Sequence, residues 1–244
     1  MRHKIGILLL SSAAMIVPAT AQQGQPNPNQ AAAKTILQAA DTAIGASKVN
    51  SYVASSTGWR GYPGQQFAEG DLPRSDLKSN VRTVDFASKS AKSEYVRVQG
   101  NNIPRGGGAG FPVQGEQKFT EVVNGSTGWN INPQGQPVRT LATDAGDRQL
   151  AIWTNPIGFI KAGLAAPNAA ATDRYFGREN RTVKVVAFTT KVCDGLQPQC
   201  TRRVTGEFNN DNMLERVITW IPDPVMATRW SNTATAIIAM SATA

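Results

Sequence analysis

Beyond Asn50 the chain alternates apolar and polar residues in short runs bounded by Gly, Pro or Asn, and this period of two limits its fold more than any other feature. Ser51–Trp59, Val81–Ala87, Glu94–Val98, Phe119–Val123 and Gly128–Ile131 read as strands with one buried face and one wet face. Arg82, Val84 and Phe86 share one such face, and Tyr95 and Arg97 share another. Thr182–Val192, Cys200–Phe208 and Leu214–Ile221 add further strands. Asp194–Gln199 turns between the first two of these, and Asn209-Asn210-Asp211-Asn212 makes a turn that tolerates left-handed backbone. The expectation is an α+β protein, mainly antiparallel β, built as a curved sheet or half-barrel.

Two stretches carry a helical period instead. Ile36, Leu37, Ala40 and Ile44 recur at helical spacing within Ala31–Ser47, and Gly45 suits the helix end. This predicts an N-terminal amphipathic helix. Asp144–Leu164 is helical again, broken at Asn155-Pro156, where Pro156 fits the first turn of a second helix. Leu150, Ile152, Trp153, Ile157, Phe159, Ile160 and Leu164 make this central pair strongly apolar, so it should pack on the sheet. Asn101–Gly115, centred on Pro104-Arg105-Gly106-Gly107-Gly108, reads as a mobile loop.

The first residues read as an export signal. Arg2, His3 and Lys4 form a basic start, Ile5–Val17 an apolar run, and Ala19-Thr20-Ala21 a small-x-small cleavage site. The run is shorter than the roughly 20 residues a bilayer needs, so the protein is expected in the periplasm rather than spanning a membrane, cleaved after Ala21. Residues 22–30, rich in Gln, Pro and Asn, form a disordered lead-in, 31–226 a single β-rich domain, and 227–244 an atypical tail. Removing 21 of 244 residues leaves 223, and losing Arg2 and Lys4 leaves 23 basic against 17 acidic side chains, a net of +6. The positive charges are scattered and form no stripe with stacking aromatics, so no nucleic-acid partner is expected.

The single histidine is His3, inside the signal. A processed chain without imidazole lacks the usual ligands of a catalytic zinc and the base of a Ser-His-Asp triad. Cys193 and Cys200 are an even pair at close spacing in an oxidising compartment, which predicts a disulfide clipping a hairpin at its tip. The glycines at 106–108 are followed by Phe111-Pro112, not by the Gly-Lys-Ser/Thr of a phosphate loop. Among the carboxylate pairs, Asp144 and Asp147 sit at a helix start where acids favour the dipole. Asp71 with Asp76 and Glu116 with Glu121 carry no sign of glycosidase chemistry. No catalytic residue, metal or cofactor is expected. Aromatics are mostly core, but Trp59, Phe86, Tyr95 and Trp129 are candidates to line a cavity for an apolar small molecule or lipid.

Pro104-Arg105-Gly106-Gly107-Gly108, Gln114-Gly115-Glu116-Gln117 and Arg148-Gln149-Leu150-Ala151-Ile152-Trp153-Thr154-Asn155-Pro156 resemble the N-terminal region of exported metallo-β-lactamase-fold hydrolases. Those proteins carry a β-rich domain of this size before the zinc domain. The resemblance covers roughly Ala31 to Met226. It implies a non-catalytic accessory module, since the family's HxHxDH zinc motif lies in the later domain and is absent from this sequence. In layout the region is also similar to periplasmic lipoprotein-carrier domains, which implies a second role as a stand-alone carrier of a lipid or other apolar ligand.

After Met226 the alternation stops. Back-translated with chosen codons and read one base out of register, the tail gives GDTMVEYSYSDYRDVG, which alternates as a half-buried strand should. The expectation is a single-base deletion near codon 227, leaving an out-of-frame tail and a sheet without its final strand. Sequencing the gene tests it: an intact downstream frame encoding HxHxDH should be found.

Overall fold

Hairpin after hairpin, the alternating segments pair with their neighbours in sequence, but they build two antiparallel sheets. The computed structural model describes residues 27–62, 68, 70, 72–101, 113–176, 180–193, 200–223 and 227–234. The export signal with Ala19 and Ala21, most of the lead-in, the glycine loop around 104–108, the 194–199 turn and the last ten residues of the tail lie outside the described residues.

The first sheet runs in chain order through β1 (Ser51–Gly61), β2 (Arg74–Asp85), β3 (Ser90–Gln99), β4 (Gln117–Asn124), β5 (Thr127–Ile131) and β6 (Pro137–Arg139). The second runs in space β11-β10-β9-β8-β7. Its members are β7 (Ala170–Phe176), β8 (Arg181–Lys191), β9 (Thr201–Phe208), β10 (Leu214–Asp223) and β11 (Ala227–Ala234). Both sheets are open. The expectation of one curved sheet or half-barrel is corrected here, and the cause is local. After β6 the chain enters α2 (Ala142–Trp153) and α3 (Pro156–Ala165), and among the described residues no ladder joins either edge of one sheet to the other.

Helices connect what the ladders do not. α1 (Pro28–Ile44) lies against β7 and α3, α2 against β3, β4 and β5, and α3 against β8, β10 and a 3₁₀ turn at Ala46–Lys48. Asn155 separates α2 from α3 and caps the latter, its side chain accepting from Gly158 N at 2.9 Å. A single apolar cluster then includes Val84, Ala91 and Val123 of the first sheet, Leu37 and Phe159 of the helices, and Phe188, Val204 and Phe208 of the second sheet. Phe159 sits over Gly206, where a Cβ would lie 2.4 Å from its Cζ. Only glycine leaves room for that ring.

The opposite face of the second sheet holds a buried carboxylate. Glu207, 2% exposed, accepts from Arg174 at 3.0 Å and also from Arg216, so its charge is answered twice. At one end of the β8–β9 hairpin Lys191 pairs with Thr201. There Cys193 and Cys200 are at bonding distance, with an S–S separation of 1.97 Å and Cα atoms 4.8 Å apart.

The tail differs from expectation. Ala227–Ala234 pairs antiparallel with β10 from Asp223↔Ala227 to Arg216↔Ala234. The final strand position is therefore filled. Backbone N–H and C=O groups on the β10 edge template a neighbour whatever its side-chain pattern, so loss of alternation does not prevent pairing.

Candidate functional site

α3 is wrapped by core on most sides. Ile157, Phe159 and Ile160 are buried, and Gly163 lies against Leu37. The rest of the helix floors a groove. Lys161, Ala162, Leu164 and Ala165 face it, with Trp153 from the end of α2 and Ala166-Pro167 beyond the helix. One wall is the β2–β3 turn, through Phe86, Ala87 and Lys89, with Ser47 and Asn50 beside it. The other wall is the end of β8, Thr189 to Lys191. The groove is shallow and largely open to solvent, with a volume of about 760 Å³.

Its apolar wall is built from packed rings. Phe86 is 8% exposed and lies between Tyr52 and Trp153, ring centroids 5.9 and 6.0 Å away. Lys161 Nζ donates to the Ser47 carbonyl at 3.0 Å and stands 5.5 Å from the Phe86 ring centroid. The turn carrying Lys89 is held from both sides. Asp85 Oδ1 accepts from Ala87 N at 2.8 Å and Ser88 N at 3.0 Å. These bonds, that of Ser88 first, hold the Asp85 carboxyl below its ordinary range. Gln149 of α2, itself buried, donates to the Lys89 carbonyl. Lys89 adopts the left-handed backbone at φ 51°.

The four aromatics expected to share a cavity do not meet. Phe86 lines the groove. Trp129 pairs with Val122, which pairs with Lys92. Trp59 pairs with Asp76, which pairs with Val98. Lys92 and Val98 each lie three residues from Tyr95 on β3, so both tryptophans point to the face opposite Tyr95. Trp59 is 55% exposed. Tyr95 is buried in a polar cluster, donating to Glu121 at 2.8 Å beneath the Arg60 guanidinium. Burial pushes its phenol pKa up, Glu121 adds to the rise, and Arg60 opposes it.

No protein-family model matches the chain, and no curated protein matches it. What the site can do rests on its own chemistry. Among the described residues no three His, Cys, Asp or Glu side chains gather as a metal site, and no helix is long and apolar enough to cross a membrane. The carboxylate pairs read from the sequence are engaged structurally. Asp144 accepts from Thr140 Oγ1 at 2.6 Å at the start of α2, Glu116 pairs with Lys78 at 2.9 Å, and Glu121 lies between Tyr95 and Arg148. Asp71 lies outside the described residues. The lysines and Trp153 of the groove come from four separate parts of the chain, so no spacing in the sequence announces them. The strongly apolar run through α2 and α3 was the one available signal.

Proposed function

We propose that the described domain is a non-catalytic, exported binding module that takes an apolar ligand in the groove beside α3. The carrying observation is the groove itself: a concave surface of Phe86, Trp153, Leu164 and several alanines, buttressed by the common core. Sites of this kind bind by excluding water from apolar surface. Of the two sequence resemblances, the carrier likeness implies ligand binding and the hydrolase likeness implies only a non-catalytic module, and the groove favours binding in either setting. In one, the module is the accessory N-terminal region of an exported metallo-β-lactamase-fold hydrolase. In the other, it is a free periplasmic carrier of a lipid or similar molecule.

Native mass spectrometry of protein recovered from the periplasm tests the binding role. A co-purifying apolar ligand is expected, and it should be lost when Leu164 is replaced by Asp. A clean apo mass that no added apolar ligand changes would remove the proposal. The nucleotide sequence past codon 226 separates the two settings: a shifted frame encoding HxHxDH marks the accessory region, and its absence marks the carrier. Zinc titration of the mature chain is expected to show no tight stoichiometric site.

A further inference from the structure

The groove sets three lysines beside its apolar surface. Lys89, Lys161 and Lys191 come from three different elements, and no Asp or Glu is among the described residues that line it. Among the described residues the acid nearest to these lysines along the chain, Asp85, is committed to the N–H groups of its own turn. Lys161 touches a backbone carbonyl and a ring face, neither of which carries a formal charge. Like charges lining one apolar groove favour an anion beside them.

Lys89 adds an independent sign. The other described non-glycine residues with left-handed backbone are Asn180 and Asn212, the residue type that tolerates this region best after glycine. A lysine there is strained, and Gln149 holds it in place.

We infer that the groove takes an anionic amphiphile, a long-chain carboxylate, with its chain on Phe86, Trp153 and Leu164 and its head beside Lys89, Lys161 and Lys191. This rests on the groove being the binding site proposed above. The test titrates the full mature protein with spin-labelled stearate and with its methyl ester, reading quenching of tryptophan fluorescence, with Trp153→Phe as the control for position. Stearate is expected to bind about tenfold or more tighter than the ester. Lys161→Met should erase that preference. Lys89→Gly provides the folding control: it relieves the backbone strain, so the melting temperature should hold or rise while stearate affinity falls severalfold.

Equal affinity for acid and ester would overturn the inference and leave the apolar groove standing. Binding of neither would overturn both. Binding to phosphatidylglycerol vesicles without binding of free stearate would overturn it in favour of a phospholipid surface.

Discussion

Gly206 and Phe159 make the tightest interlock of the second sheet, and a methyl group tests it. A Cβ at 206 would lie 2.4 Å from Phe159 Cζ and 2.8 Å from Leu214 Cδ1. Phe159 is fully buried between Phe188 and Phe208, so the ring has nowhere to go. Gly206→Ala is therefore expected to cost about 1–3 kcal/mol through overpacking, read as a lowered urea midpoint. An unchanged midpoint would show that the contact relaxes freely. At Tyr95 the lever is pH. Its raised phenol pKa favours the neutral form in the folded protein. The associated stability is complete below the ordinary tyrosine value of about 10 and is lost as pH rises through the folded value. Tyr95→Phe should flatten the alkaline fall in melting temperature, and parallel curves for the two proteins would contradict this. Neither residue could be read from the sequence in these roles. Period two assigns Tyr95 to a face, but Glu121 and Arg60 reach it across strands, and the need for glycine at 206 depends on a ring 47 positions away.

At the level of elements the antiparallel strands were legible, and their ends were not. The pattern places a strand at Val81–Ala87, whereas β2 runs Arg74–Asp85. The polar stretch before Val81 lacks alternation and is recruited because β1 and β3 offer ladders on both sides, with a bulge between Leu77 and Ser79. β7 has too few apolar residues to stand out, yet it is fixed by β8 on one side and by α1 on the other. The cysteine pair was legible because its partners are close in sequence, seven residues apart. That short loop also sets what the bond contributes. Reducing it, or replacing both cysteines with serine, is expected to lower stability by about 2–3 kcal/mol on the chain-entropy account. Denaturant melts with and without a reductant measure the difference. Val192, just before Cys193, is buried and accepts no such freedom, so the loss should register in the global transition rather than as local fraying.

Across the whole molecule, period alone could not tell one curved sheet from two, because alternation specifies which face is buried and not where a ladder ends. The answer lies in α2 and α3, which interrupt the strand order and then supply the packing that joins the halves. Because the groove sits where the β2–β3 turn, α3 and β8 converge, its shape depends on both sheets holding their places together. The shared cluster makes a definite expectation. Val84 and Phe208 lie in different sheets but in one core, so Val84→Ala and Phe208→Leu should each destabilise the same transition by about 1–3 kcal/mol. Unfolding followed by far-UV dichroism, near-UV dichroism and tryptophan fluorescence should then give coincident curves for the parent and both variants. If Phe208→Leu instead splits the melt, with one signal moving and another staying, the helices do not couple the sheets. The groove between them would then open and close as the second sheet unfolds alone, and ligand affinity would fall with that sheet's stability while the first remained folded.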